Sequence, residues 1–188
     1  QYTISKVSLK GNDITNDRVV LREIRTKPGQ KFSKELIVRS TREIAQLGNF
    51  DDTKTDPKPI NINPNSGTVD IEYNVVEKPS DQIELSGGFG GGRVVGTLGL
   101  TFNNFSARNI FNTSAWKPLP KGDGQKLSIR GQTNGKYYQS YSFSFSEPWL
   151  GGKKPIYFGI SAFTSLQSNG LRNTDFNQQK IRLNGVTF

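Results

Sequence analysis

The chain has 188 residues and a formal net charge of +9, and it contains no cysteine, histidine or methionine. These absences exclude disulfides, thiolate chemistry, a Ser-His-Asp triad and a histidine-based metal site. Only 32% of the residues are hydrophobic, but 11% are aromatic, which argues against a disordered chain. Because it begins at Gln1 and lacks methionine, we expect it to be a piece of a longer protein.

The first 79 residues alternate between strand and helix signals. Apolar residues at positions 4, 7 and 9 alternate with polar ones, apart from one slip at residues 5–6, and predict a strand over residues 2–10; a short helix capped near Thr15 or Asn16 follows it. Ser33 is the predicted N-cap of a second helix. That helix is expected to end at Gly48, because glycine readily adopts the left-handed conformation after a helix.

Two further strands complete this part of the chain. A short extended segment begins at Phe50, residues 56–67 predict a turn or loop with three prolines, and residues 68–77 alternate again. The order strand-helix-helix-strand-strand predicts a three-stranded sheet covered by two helices, a two-layer α+β unit. A free edge of this sheet can accept an extended peptide by strand addition, or it can simply be covered.

Period-two alternation predicts six strands in the second half, each with one apolar face and one face of Ser, Thr, Gln, Asn, Gly and Arg. Strand by strand, the apolar positions are Ile83, Leu85 and Phe89; Leu98, Leu100 and Phe102; Leu127 and Ile129; Tyr141, Phe143 and Phe145; Ile156, Phe158, Ile160 and Ala162; and Ile181 and Leu183.

The apolar face of six strands needs a cover. Lipid would cover it in an outer-membrane barrel with a wet lumen, and a second sheet would cover it in a soluble sandwich. A row of serines on the fourth strand favours the barrel, as do Trp116, Trp149 and Tyr157, which are predicted to lie at the membrane interface. Since about eight strands are needed for closure, the barrel would be incomplete in this chain.

The charge distribution and the lack of catalytic motifs restrict the possible partners and activities. Residues 1–80 have 13 basic against 11 acidic side chains, whereas residues 81–188 have 12 against 5. The basic residues of the second half stand singly, so we expect no nucleic acid partner; anionic lipid or lipopolysaccharide, a polar channel lining and a solvated surface stay open. We see no acid–base pair, metal ligand set or cofactor motif, and therefore expect no enzyme.

A glycine-rich run over residues 87–92 resembles a phosphate loop only superficially, because neither Gly-Lys-Ser/Thr nor a helix follows it. Glycine weakens strand pairing, so residues 82–90 predict a weakly held edge strand, with a plain hairpin turn as the alternative for residues 90–92. A long aromatic-rich connection over residues 102–125 is expected to dock, with the membrane interface as the candidate surface.

Short motifs occur along the chain at residues 7–12, 27–32 and 47–50 and at residues 77–79, 103–105 and 144–150. The first three resemble a POTRA domain, and the last three resemble the start of the barrel and its periplasmic turns in the BamA-type outer-membrane protein assembly factors. The long turn over residues 105–125 departs from the shorter turn of that family and suggests a lineage-specific insertion.

The resemblance implies a fold and a location. Residues 1–79 would be the membrane-proximal POTRA domain (β-α-α-β-β) in the periplasm of a Gram-negative bacterium. Residues 80–188 would be the first six antiparallel transmembrane strands of an outer-membrane β-barrel. The implied function is insertion of β-barrel proteins through a lateral gate, without nucleotide hydrolysis. The implied partners are unfolded outer-membrane proteins, accessory lipoproteins, and outer-membrane lipid or lipopolysaccharide.

Two sets of site residues follow from the resemblance. The lateral-gate edge strand would consist of Gln82, Ile83, Glu84, Leu85, Ser86, Gly87, Gly88, Phe89 and Gly90. The peptide-binding edge of the POTRA domain would consist of Phe50, Asp51, Asp52, Thr53 and Lys54. Two alternatives stay open: a related secretion or translocation pore with the same layout, and a soluble two-domain binding or adhesion protein.

Overall fold

The computed structural model describes residues 2–90, 92–116, 118–171 and 176–188. The chain divides into two compact units, one of Gln1–Ser80 with Asn104–Gly124 and one of Asp81–Asn103 with Gln125–Phe188. The sequence assigned all of residues 80–188 to the second domain, whereas the structure groups residues 104–124 with the first unit. The long connection therefore docks, but on the α+β unit, whereas the sequence offered the membrane interface as the candidate surface.

The first unit is a three-stranded sheet with two helices. Its elements are β1 (Thr3–Lys10), α1 (Asp17–Leu21), α2 (Lys34–Gln46), β2 (Asp56–Asn63) and β3 (Thr68–Asn74). The strand order is β1-β3-β2, with β3 parallel to β1 and antiparallel to β2. The Ser33 hydroxyl caps α2 by accepting a hydrogen bond from the Leu36 N–H at 3.3 Å, as predicted.

The core of the first unit lies between the sheet and the helices. It is formed by the apolar face of the sheet and by one side of each helix; the buried members are Ile4, Val20, Ile24, Ile37, Ile44, Phe50, Ile71, Tyr73 and Val75. The alternation over residues 68–77 supplies the central strand, whose residues 69, 71 and 73 are buried. Burial of this face is the main stabilising term of the unit.

The prediction of a loop over residues 56–67 was wrong, because residues 56–63 form β2. The extended segment at Phe50 is not a strand of the sheet either. Phe50 is fully buried and makes only an isolated bridge to Glu77, and a turn follows it. Pro57 and Pro59 explain why residues 56–63 were predicted as a loop, since prolines disfavour strands but are tolerated at a sheet edge.

The second unit is a single six-stranded sheet in the order β4-β5-β6-β7-β8-β9. Its strands are β4 (Gln82–Gly90), β5 (Arg93–Phe105), β6 (Gln125–Thr133), β7 (Tyr138–Glu147), β8 (Phe158–Ser168) and β9 (Lys180–Thr187). The strands pair antiparallel in β4–β5, β6–β7, β7–β8 and β8–β9. Within the described ranges, no helix combines the length and apolar composition that a membrane-spanning helix requires.

The cross-strand register confirms one apolar and one polar face for most of this sheet. Ile129 lies opposite Phe143, and Phe143 lies opposite Ala162, whereas Ser144 lies between Ser128 and Ser161. Directly paired residues of antiparallel strands project from the same face. The serine row of β7 therefore belongs to a continuous polar face.

Strand β9 departs from the prediction. Ile181 lies opposite Gln167 and Leu183 lies opposite Ser165, so both apolar side chains are on the polar face, while Val186 lies opposite Ala162 on the apolar face. Alternation within a strand does not fix which set faces which side, because a shift of one residue exchanges them.

Candidate functional site: the open edge of strand β4

Strand β4 is one of the two outer strands of the six-stranded sheet. It pairs with β5 along its whole length, from Gln82 opposite Thr101 to Gly90 opposite Arg93. Among the described residues, no strand pairs with its other side. The predicted edge strand therefore lies at an edge of this sheet.

The direction of the β4 main chain follows from its turn. Gly90 lies opposite Arg93 with two residues between them, and the closing pair of such a hairpin is hydrogen-bonded. Hydrogen-bonded and outward-facing residues then alternate along the strand, so the even-numbered residues bond to β5. The open edge presents the N–H and C=O groups of Ile83, Leu85, Gly87 and Phe89.

The side chains of β4 are highly exposed. Ile83, Leu85 and Phe89 are 77–80% exposed and project from the apolar face. Between them, Gly87 lies opposite Gly96, so this cross-strand pair has no side-chain contact. Side-chain pairs supply much of the stabilisation between strands. The part of β4 around Gly87 is consequently held mainly by its main-chain hydrogen bonds to β5.

The polar face adds one ionic contact to β4. An Arg130 guanidinium nitrogen donates to the Glu84 carboxylate at 3.0 Å, reaching from β6 across β5. Gly99 lies under this ion pair, and a Cβ at Gly99 would be only 3.1 Å from the Glu84 carboxylate. Since both charged side chains are 52% exposed, the ion pair is worth at most about 1 kcal/mol. This contact was not predictable from the sequence, because it depends on the register of three strands.

The predicted peptide-binding edge at residues 50–54 has a different geometry. The Asp51 carboxylate accepts hydrogen bonds from the Thr53 N–H at 3.0 Å and from its hydroxyl at 2.6 Å, forming a local turn. These hydrogen bonds, above all the one from the Thr53 hydroxyl, lower the pKa of Asp51. The segment does not form an edge strand; the edges of this sheet are β1 and β2.

A buried carboxylate anchors the 104–124 segment to the first unit. Asp123 is 4% exposed and accepts hydrogen bonds from the Ser106 hydroxyl at 2.7 Å, the Asn16 amide at 2.8 Å and the Arg18 guanidinium. Asn104 is also buried, and its amide donates to the Thr15 hydroxyl at 2.8 Å. No short motif marks these residues, so this network could not be predicted from the sequence.

The pKa of Asp123 reflects opposing influences. Burial is the largest single influence and raises the pKa. The hydrogen bonds from Ser106, Arg18 and Asn16, together with the charge of Arg18, outweigh it. The pKa of Asp123 is therefore lowered, and the side chain is an ionised anchor at neutral pH.

The three aromatic residues predicted at a membrane interface lie in different places. Trp116 belongs to the docked segment of the first unit, where its indole N–H donates to the Ile110 carbonyl at 3.2 Å. Trp149 and Tyr157 flank the turn between β7 and β8 in the second unit, and Tyr157 is 70% exposed. An interface role for them stays a prediction.

Comparison with known proteins places this geometry in context. The POTRA family model, described as surface antigen variable number repeat, matches residues 2–78. The chain is 28% identical over 143 residues to the chloroplastic outer envelope protein 80 of Oryza sativa subsp. japonica, covering 73% of this chain and 19% of that protein. It is 32% identical over 116 residues to the outer membrane protein assembly factor BamA of Neorickettsia risticii (strain Illinois), covering 61% of this chain and 14% of that protein.

Solved structures share the fold. BamA from Haemophilus ducreyi lacking POTRA domains 1-3 matches 98% of this chain and 31% of that chain, with a TM-score of 0.69 and 20% identity. CdiB from Acinetobacter baumannii matches 92% of this chain and 30% of that chain, with a TM-score of 0.52 and 13% identity. The chain thus spans less than a fifth of the two curated relatives and about 30% of these structures. The resemblance found in the motifs is confirmed: the chain contains a POTRA domain and is similar, in sequence and in fold, to BamA-type outer-membrane protein assembly factors.

Proposed function

We propose that this chain is the membrane-proximal POTRA domain and the beginning of the β-barrel of an insertase for outer-membrane β-barrel proteins. The observation that carries the proposal is the open edge of β4, where the N–H and C=O groups of Ile83, Leu85, Gly87 and Phe89 face away from β5. The similarity to proteins named as outer membrane protein assembly factors supports it.

The proposed mechanism is strand addition at this edge. An incoming strand pairs its main chain with residues 83–89, so that its polar groups are bonded before they enter hydrocarbon. Unpaired main-chain groups cost several kcal/mol each in a bilayer, so an open edge there binds an incoming strand strongly. The driving force is main-chain pairing together with burial of apolar side chains in lipid, and no nucleotide is hydrolysed.

The proposed setting is the bacterial outer membrane, with residues 1–79 in the periplasm. In the closed state, β4 pairs weakly with the last strand of the full barrel and forms the lateral gate. The POTRA domain receives unfolded outer-membrane proteins and docks accessory lipoproteins. The excess positive charge of residues 81–188 suits contact with anionic lipid or lipopolysaccharide.

The test is a proline at the edge. Leu85→Pro removes one outward N–H without removing a hydrogen bond to β5, and proline is tolerated on an edge strand in this orientation. The full-length variant should be present in the outer membrane but should insert client barrels much more slowly. Leu85→Val, which keeps the N–H, should insert them at close to the wild-type rate. Normal insertion by the proline variant would refute the gate.

A disulfide crosslink that locks the gate provides an independent test of the proposed function. Single cysteines at Leu85 and along the last strand of the full-length protein should crosslink in intact outer membranes. Insertion should then stop and recover on reduction. Crosslinking that leaves insertion unchanged would instead favour a secretion or translocation pore, and a full-length protein found only in the soluble fraction would favour a binding protein.

A further inference from the structure

We infer that the POTRA-like sheet accepts an added strand only at β1, over Ser5–Lys10, and that prolines block strand addition at β2. This inference rests on the proposed binding of unfolded chains by the first unit and names where they bind. The proposed occupant is an extended segment of an unfolded client with an apolar side chain at every second position.

The block at β2 follows from its pairing. Pro57 lies opposite Tyr73 and Pro59 opposite Ile71, and the residues between and beside them also pair with β3. A proline has no N–H, so the hydrogen-bonded pairs of this ladder must be those of Asp56, Lys58 and Ile60. The prolines therefore direct their main chain outward. An added strand would meet two successive positions without a donor.

A second obstacle to strand addition lies at the C-terminal end of β2. The register shifts between Ile60 and Asn63, and Asn61 has a φ of +51°, in the left-handed region. Bulges and prolines are among the means by which sheet edges resist further pairing, and proline is the one that removes a donor. The β2 edge has both within eight residues.

The β1 edge is arranged differently. Its first residues are already covered, because Ile4 donates to the Gln30 carbonyl at 2.8 Å and accepts from the Gly29 N–H at 2.8 Å. Beyond a bulge, the Lys10 carbonyl accepts from the Val75 N–H on the β3 side at 2.9 Å. By alternation, Ser8 also bonds inward, and Val7 and Leu9 direct their N–H and C=O groups outward. No described strand pairs with β1 on this side.

Side chains around this edge specify the occupant. Val7 and Leu9 are half-buried and pack against the core, so an added strand that places apolar side chains beside them extends the core. Lys6 and Lys10 are exposed, and Lys10 already pairs with the Glu72 carboxylate at 2.8 Å, so Lys6 is the cation that favours a polar or acidic residue beside it on the added strand. Alternation of this kind is typical of transmembrane β-strands before insertion.

The test uses two matched probe positions. Ser8 and Lys58 lie opposite the same central residue, Glu72, from the two outer strands. A photoreactive p-benzoylphenylalanine is placed at either position in the full-length protein, which is reconstituted in liposomes with a urea-unfolded outer-membrane β-barrel protein. We expect a several-fold higher yield of crosslinked client from position 8 than from position 58.

A gain-of-function variant completes the test. Pro57→Val with Pro59→Val restores the two missing donors and should raise the crosslinking from position 58 while leaving position 8 unchanged. Equal yields in the wild-type protein, or no gain in this variant, would overturn the inference. Crosslinks between two copies of the protein in place of client would overturn the assigned occupant.

Client insertion measured in the same vesicles separates the two proposals. Insertion without crosslinking from position 8 refutes the β1 site and leaves the insertase standing. Crosslinking from position 8 without insertion supports the β1 site and refutes the insertase.

Discussion

At the scale of single residues, Asp123 is the clearest structural determinant. It lies buried and ionised at one end of a long loop, and it is bonded to Ser106 near the other end and to Asn16 and Arg18 at the start of α1. A buried carboxylate is stable only when its hydrogen bonds compensate for lost hydration. The loop conformation and the charge of this side chain therefore depend on each other.

We expect Asp123→Asn to destabilise the docking of residues 104–124 by on the order of 2 kcal/mol, because an amide cannot accept all three hydrogen bonds. Hydrogen exchange of the full-length protein should show faster exchange in this segment and little change in β8. Asp13→Asn, which alters an exposed carboxylate of the same unit, should have no comparable effect. Equal protection of the segment in Asp123→Asn and the wild-type protein would show that the carboxylate does not anchor it.

The same side chain predicts a pH dependence. Its pKa is lowered below the ordinary value of 3.8, so its contribution to stability is complete above about pH 4 and is lost as the pH falls through the lowered pKa. Exchange corrected for intrinsic rates should accelerate in residues 104–124 below about pH 4, and Asp123→Asn should remove this dependence. A wild-type profile that parallels the variant across this range would contradict the prediction.

A buried hydrogen bond in the core gives another residue-scale prediction. The hydroxyls of Thr26 and Tyr73 are 2.9 Å apart, and both residues are buried. Tyr73→Phe leaves the Thr26 hydroxyl without this partner and should reduce the free energy of unfolding by about 1–2 kcal/mol. Thr26→Val with Tyr73→Phe removes both polar groups and should cost less than the sum of the single changes, as measured by urea unfolding.

At the scale of elements, β9 allows a test of which face meets lipid. Leu183 and Val186 are similarly exposed, 60% and 66%, but they project from the polar and the apolar face respectively. In a barrel, Val186→Lys places a charge against hydrocarbon at a cost of up to about 2–4 kcal/mol, whereas Leu183→Lys faces the lumen. Heat-modifiable folded protein in the outer membrane should fall for Val186→Lys only. The opposite order would reverse the assignment of the faces.

The strands of the second unit were predictable because one physical rule, alternation of period two, specifies each of them locally. The face of β9 was not, since it depends on the pairing of Leu183 with Ser165. Strand β2 was missed because Pro57 and Pro59 carry a strong local signal against a strand, which edge placement overrides. The backbone direction of the β4 edge likewise required the register with β5, although its glycines marked the strand in the sequence.

The surface on which residues 104–124 dock could not be predicted from the sequence for a different reason. Its contacts join residues about a hundred positions apart, such as Asp123 with Asn16 and Arg18. Each participant is a common polar residue, and only burial makes it distinctive. Long-range polar networks of this kind have no periodicity that a single sequence can display.

At the scale of the whole molecule, the proposed activity requires an energy source within the reaction itself. Strand addition at Ile83–Phe89 exchanges the solvated main chain of an unfolded client for paired main chain, and insertion buries its apolar face in lipid. Each step lowers the free energy, and its rate is limited by the kinetic barrier of exposing polar groups to hydrocarbon. A template at the membrane edge lowers that barrier without performing work.

The full-length protein in liposomes should therefore insert a urea-unfolded client at the same rate with and without ATP. An ATP-depleting enzyme should not slow it, whereas Leu85→Pro should do so under both conditions. Accumulation of protease-resistant, heat-modifiable client measures the rate, and protein-free liposomes supply the uncatalysed background. A requirement for nucleotide in this purified system would mean that pairing and burial do not suffice, and the mechanism drawn from the β4 edge would have to be abandoned.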